Sequence, residues 1–175
     1  MPKAQEEIDG GFAHHADGEF PLIEGEGVWV KVVLGEVFGH RSPVATFGDP
    51  VYVDYRLQSR SRLVLPAKIE ERALSVVSGE LEIDGQRFEP GTLVVLKPKS
   101  EVVARADIST QLVLLGGPKL DGPRHVWWNF VSSSKERIEA AKADWRAGRF
   151  PSVPGDNEFI PLAGVTSLFS DTASR

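Results

Sequence analysis

Four histidines open the search for chemistry, because imidazole can bind a metal or move a proton near neutral pH. His14 and His15 are adjacent in a polar N-terminal arm, where solvated side chains are the commoner outcome. His40 lies in Gly39-His40-Arg41-Ser42-Pro43, a turn between strands, and loops carry function disproportionately often. His125 precedes the pair Trp127-Trp128, with local packing or hydrogen bonding as its competing role. His40, Arg41, His125 and Trp127 are the candidate ligand-binding residues. Trp127-Trp128 could form a ligand platform. In an extended segment, however, neighbouring rings face opposite ways, so one is expected in the core. Arg56, Arg60 and Arg62, around Gln58-Ser59 and Ser61, make a small basic turn that could hold an anion or stay solvated. No catalytic residue can be named. The serines are scattered through turns without a Ser–His–Asp arrangement. Gly25-Glu26-Gly27 precedes a strand, the wrong context for a phosphate loop.

Composition narrows the classes. The chain has 175 residues, no cysteine and a formal net charge of -5. Disulfides, thiolate metal sites and a cysteine nucleophile are excluded. Bases are interspersed with acids, so no basic stripe suits a nucleic acid. No apolar run reaches the length that spans a bilayer, and Met1 to Gly11 lacks an apolar signal segment. A cytoplasmic protein is the expectation.

These residues must be positioned mostly by strands. Val28–Leu34 is β-branched and ends at Gly35, and Val51–Leu57 alternates, with Asp54 and Arg56 facing out. Arg62–Leu65 stops at Pro66, and Ala73–Ile83 reads as one strand bent at Gly79. Asp84-Gly85 is a two-residue hairpin turn leading into Gln86–Phe88. Thr92–Leu96, Glu101–Ala106 and Gln111–Leu115 follow. Short strands so spaced predict a sandwich or barrel. Ser133-x-x-Glu136 reads as a capping box opening an amphipathic helix over 134–147. Ile138, Ala141 and Trp145 form its apolar face, and Gly148 stops it. The expected organisation is a partly flexible arm over 1–27 and a β-barrel over 28–132. A helix and extended segment packed on the barrel follow over 133–162, then a tail over 163–175.

Ala73–Leu96, with its Ser78-Gly79-Glu80 turn, DG hairpin and Pro90-Gly91-Thr92, resembles the core of a cupin. Gly116-Gly117-Pro118, Arg124–Phe130 and Trp145–Phe150 are similar to the C-terminal half of the pirin branch of cupins. Pro154–Leu162 continues that likeness. The resemblance implies a mainly β fold, a single cupin-type barrel or jelly roll with one C-terminal amphipathic helix. Pirins are bicupins that hold iron, through histidines and a glutamate, in their N-terminal barrel. They are linked to quercetin oxygenation and transcriptional co-regulation. This chain resembles only the second barrel and begins near the linker into it.

The family's ligand spacing can be laid on this barrel. Counted back from Gly79, the paired histidines would fall at Pro66 and Lys68 and the glutamate at Arg72. Counted forward from Pro98, the last histidine would fall near Val103. Two of these are cations, and none is a ligand for a first-row metal. The expectation is a non-catalytic binding or interaction module without metal or cofactor. Its partner would be a second copy or a metal-bearing cupin, with a small-molecule ligand unspecified. The alternatives are a quercetin 2,3-dioxygenase-like enzyme or an isomerase using the barrel interior, perhaps with iron or another transition metal, or a co-regulator acting through protein contacts.

Overall fold

Alternation along the strands decides which side chains enter the core. The computed structural model describes residues 1–152, 155, 158 and 160–162. The chain divides into two compact units, 1–120 and 121–175.

The first unit contains twelve strands. These are β1 (Leu22–Gly25), β2 (Val28–Leu34), β3 (Glu36–Val37), β4 (His40–Arg41), β5 (Val51–Leu57) and β6 (Ser61–Leu65). Then come β7 (Glu71–Ser78), β8 (Leu81–Ile83), β9 (Gln86–Phe88), β10 (Leu93–Leu96), β11 (Val102–Ala106) and β12 (Thr110–Gly117). One sheet has the order β1-β2-β5-β12-β7-β10, and the other β6-β11-β8-β9. All their pairings are antiparallel. The non-sequential neighbours mark a double-sheet barrel and not a simple meander.

The core lies between these sheets. Val53, Tyr55 and Leu57 enter it from β5, Leu74 and Val76 from β7, and Leu112 and Leu114 from β12. Leu63, Leu65, Leu81, Ile83, Ala104 and Ala106 meet them from the smaller sheet. Each buried leucine or valine contributes about 1.5–3 kcal/mol by area, so this one cluster drives the unit's folding.

The expected bent strand over 73–83 is two strands, β7 and β8, in different sheets. Gly79 makes the switch. Its φ is +79°, and an added Cβ would lie 2.7 Å from Thr110 Cα. A chain turning so sharply against another backbone needs glycine. The hairpin at Asp84-Gly85 forms as expected, with φ of 50° and 78°. The arm contributes more than the sequence suggested: β1 pairs with β2, and Val32 N–H donates to Pro21 O at 3.0 Å.

The second unit contains β13 (His125–Trp127), β14 (Phe130–Ser132) and α1 (Lys135–Arg146). The first two form a tight hairpin around Trp128, whose φ is +52°. The helix starts one residue later than the capping-box spacing implied. Ser134 is the N-cap: its hydroxyl accepts from Arg137 N–H at 3.2 Å and donates to Glu136 at 2.7 Å. The helix ends as expected at Gly148, φ +63°. Gly148 N–H reaches Trp145 O at 3.1 Å and Arg149 N–H reaches Asp144 O at 2.9 Å, a Schellman closure. Ile138 and Ala141 are buried, and Trp145 is half-buried. The expected tail over 163–175, and part of the 154–162 segment, lie outside the described residues.

Candidate functional site

A cupin-type metal site would need ligands converging inside the barrel, and the relevant positions do not converge. Pro66 and Lys68 fall in the turn between β6 and β7, with Lys68 exposed. Val103 sits on β11 opposite Val64, on the outward face between buried Ala104 and half-buried Val102. Arg72 alone points inward, in phase with Leu74 and Val76. It is only 3% exposed.

Arg72 is a clamp. Its Nη1 donates to Pro66 O at 2.8 Å. Its Nη2 donates to Lys97 O at 3.0 Å and to Ser100 O at 2.7 Å, with Ser100 Oγ at 3.3 Å. One guanidinium thus ties the turn after β6 to the turn after β10, at one end of the barrel. Burial holds its pKa below the ordinary arginine value. Its Nε finds no hydrogen-bond partner among the described residues. Iron held through histidines and a glutamate does not fit here. The carboxylate position carries a buried cation, and the paired positions carry a proline and a lysine on a turn. Among the described residues, no three His, Cys, Asp or Glu side chains cluster as a metal site would require.

The rest of the interior is apolar apart from the Tyr55 phenol and the hydroxyls of Ser61 and Thr110, which donate to Gly27 O at 3.0 Å and Glu80 O at 2.9 Å. Tyr55 is fully buried, opposite Leu112 and Val30, and its hydroxyl has no partner among the described residues. Burial pushes its pKa far above the ordinary phenol range.

The four candidate ligand-binding residues divide between the units. His40 is exposed on β4, opposite Val37. Arg41 pairs with Glu36, Nη2 to Oε2 at 2.8 Å. His125 is half-buried on β13, opposite Ser132. Beside it, the Ser134 hydrogen bond chiefly holds the Glu136 carboxyl below its ordinary range. Trp127 packs in an aromatic cluster. It stacks on Phe130 at 6.1 Å, and Lys142 Nζ lies 4.4 Å from its ring centre. Trp128, Trp145 and Phe150 complete the cluster, with Trp128 and Trp145 edge to face at 5.3 Å. In the arm, His15 meets Glu19 at 3.2 Å and Phe20 edge-on.

A concavity lies on the outer face of the six-stranded sheet. It encloses about 650 Å³ and is lined by Trp29, Lys31, Asp54, Arg56, Gln58 and neighbours from the arm. The sequence placed Asp54 and Arg56 outward and flagged Arg56 in a basic turn. Trp29 and Lys31 carried the same alternation signal on β2, but only the strand register puts them beside Arg56 and Asp54.

The double-sheet barrel with its jelly-roll order of strands is a cupin. A quercetin 2,3-dioxygenase from Acinetobacter baumannii superposes with a TM-score of 0.81 at 24% identity, over 93% of this chain and 55% of that one. The likeness is one of fold. The model of the pirin C-terminal cupin domain matches residues 52–151, and the chain belongs to the pirin family. A pirin-like protein of Caulobacter vibrioides is 42% identical over 164 residues, which cover 93% of this chain and 57% of that protein. Pirin-like protein 2 of Arabidopsis thaliana is 26% identical, over 81% of this chain and 48% of its own length. The chain spans about half the length of these relatives. Among the described residues no helix is long and apolar enough to cross a membrane.

Proposed function

We propose that this pirin-type cupin is a metal-free, non-catalytic interaction module of the cytoplasm, working through contact with a second copy or with a metal-bearing cupin. One observation carries the reading: Arg72, buried and bonded to three backbone carbonyls, stands where the family's spacing would put a metal-binding carboxylate. A guanidinium repels a divalent ion and has no lone pair to offer it. Support for a partner comes from β10, the last strand of the larger sheet, whose outward Leu93 and Val95 are 57% and 77% exposed. Edge strands without charge or proline invite pairing. Any regulatory role would then run through protein contacts.

The test is metal analysis of untagged protein grown with iron and zinc, together with quercetin consumption under oxygen. The expected result is a metal content far below one per chain and no consumption above the protein-free rate. A stoichiometric transition metal with quercetin turnover would replace this reading with a dioxygenase.

A further inference from the structure

The groove on the outer face of the six-stranded sheet is built from cross-strand neighbours. Trp29 on β2 lies opposite Arg56 on β5, and Lys31 opposite Asp54. On the other side of β2, Leu22 of β1 lies opposite Lys31. The arm makes one wall: Asp17 Oδ1 accepts from Lys31 Nζ at 2.5 Å. Gln58 and Ser109 line the groove alongside Leu57.

The charges are unequally satisfied. Lys31 is spent on Asp17. Asp54 accepts from Gln111 Nε2 at 2.9 Å. Among the described residues Arg56 pairs with Asp54 alone, at 3.7 Å from its Nε, and its side chain is 69% exposed. That separation is too long for a good hydrogen bond. Lys31 and, more weakly, Arg56 hold the Asp17 carboxyl below its ordinary range, so the field of both cations reaches across the groove. The groove therefore offers one half-buried indole, one exposed leucine at 53% and one under-used guanidinium. Side chains directly opposite on paired strands have Cβ atoms roughly 5 Å apart. A small planar molecule can touch the indole and the guanidinium at once. Sites of about 300–1,000 Å³ suit small molecules, and this groove falls inside that range.

We propose that the groove binds a planar aromatic acid. The ring lies against Trp29 and Leu22, and the carboxylate is held by the terminal nitrogens of Arg56. Guanidinium and carboxylate match as a bidentate pair. An uncharged ring would leave Arg56 as loosely held as before. A bare inorganic anion would leave the indole and leucine unused. The site lies outside the barrel, so it stands whether or not the interior holds metal.

Calorimetric titration of the full chain tests this with three probes: 2-naphthoate, 2-naphthalenemethanol and inorganic phosphate. One molecule of 2-naphthoate is expected to bind per chain. The alcohol and phosphate should each bind about tenfold more weakly or worse, the usual worth of a charge-assisted hydrogen bond. Arg56→Ala should weaken 2-naphthoate about tenfold while leaving the alcohol unchanged. Arg62→Ala, on β6 and outside the groove lining, should change nothing. Trp29→Phe should weaken both aromatic probes severalfold. The proposal is overturned by absence of saturable 2-naphthoate binding, by binding that survives Arg56→Ala, or by phosphate competing equally at the same site.

Discussion

Along β5, Val53, Tyr55 and Leu57 point into the barrel and are almost wholly buried, whereas Asp54 and Arg56, set between them, line the outer groove. One strand thus supplies two environments with opposite demands. Inside, any polar atom must find a partner or cost stability. Arg72 meets that demand with three carbonyls, and the Tyr55 hydroxyl does not. Outside, water is a ready partner: Lys31 and Asp54 are bonded to Asp17 and Gln111, whereas Arg56 is held loosely and its placement is free to serve recognition. In many cupins the interior is where chemistry happens. Here it is packed as a core, and the loosely held guanidinium of Arg56 lies on the outer face of the same sheet.

The largest test of this contrast is Arg72→Met. The substitution keeps an apolar stem but removes the donors for Pro66 O, Lys97 O and Ser100 O. Losing hydrogen bonds from a charged donor costs roughly 1.5–3 kcal/mol each where no other donor replaces them, as Ser100 Oγ–H does in part for Lys97 O, and the loss is partly offset by no longer burying a cation. A net loss of about 3 kcal/mol in urea unfolding is expected, with the m-value unchanged. A loss below about 0.5 kcal/mol, the range of ordinary surface changes, would mean that the guanidinium is solvated and the barrel end is open.

Tyr55→Phe probes the same interior with the opposite sign. Removing a buried hydroxyl that has no partner relieves a desolvation penalty, so a gain of about 1 kcal/mol is expected. The raised pKa adds a pH dependence. The folded state keeps the Tyr55 proton at a pH where the unfolded chain, with a phenol near about 10, has lost it. Stability contributed by the protonated form is therefore present below that pH and is lost as pH rises through and beyond it. Ultraviolet titration should show one of the two tyrosines staying protonated until the fold opens. If Tyr55→Phe costs stability instead, the hydroxyl has a partner such as water, and the interior is not a dry core.

Much of this fold can be read from period-two patterns, and the reasons for the misses are physical. Val28–Leu34 is β-branched and stops at Gly35, Val51–Leu57 alternates because one face is in the core, and both strands appear where those patterns put them. The Asp84-Gly85 turn was equally local. The split at Gly79 was not, because nothing near it in sequence says that Thr110 approaches within touching distance. The helix starts one residue beyond the position its capping-box spacing implies: Ser133 and Ser134 offer the same hydroxyl, and backbone geometry chooses between them. Arg72 was recognisable as a poor metal ligand, but its carbonyl partners lie up to 28 residues away in sequence. The groove needed register. Trp29 and Arg56 are 27 positions apart in the chain and become neighbours only when β2 and β5 pair.

The smallest expected effect sharpens the comparison most. Arg56→Ala removes a side chain whose only carboxylate contact among the described residues is a loose one to Asp54 at 3.7 Å, with most of its surface in water. Exposed ion pairs of this kind contribute about 0–1 kcal/mol, and changes at such positions usually stay within roughly 0.5 kcal/mol. Chemical unfolding of Arg56→Ala should therefore overlay that of the parent within error. If the groove is a recognition surface, this same silent substitution is the one that weakens 2-naphthoate about tenfold. Arg72→Met, costly to the fold, should leave that affinity unchanged at temperatures where the variant remains folded. Two arginines facing opposite sides of one sheet would then separate cleanly, one needed for stability and the other for binding. If Arg56→Ala destabilised the fold by more than about 1 kcal/mol, Arg56 would instead be a structural residue like Arg72, and the division between the two faces would fail.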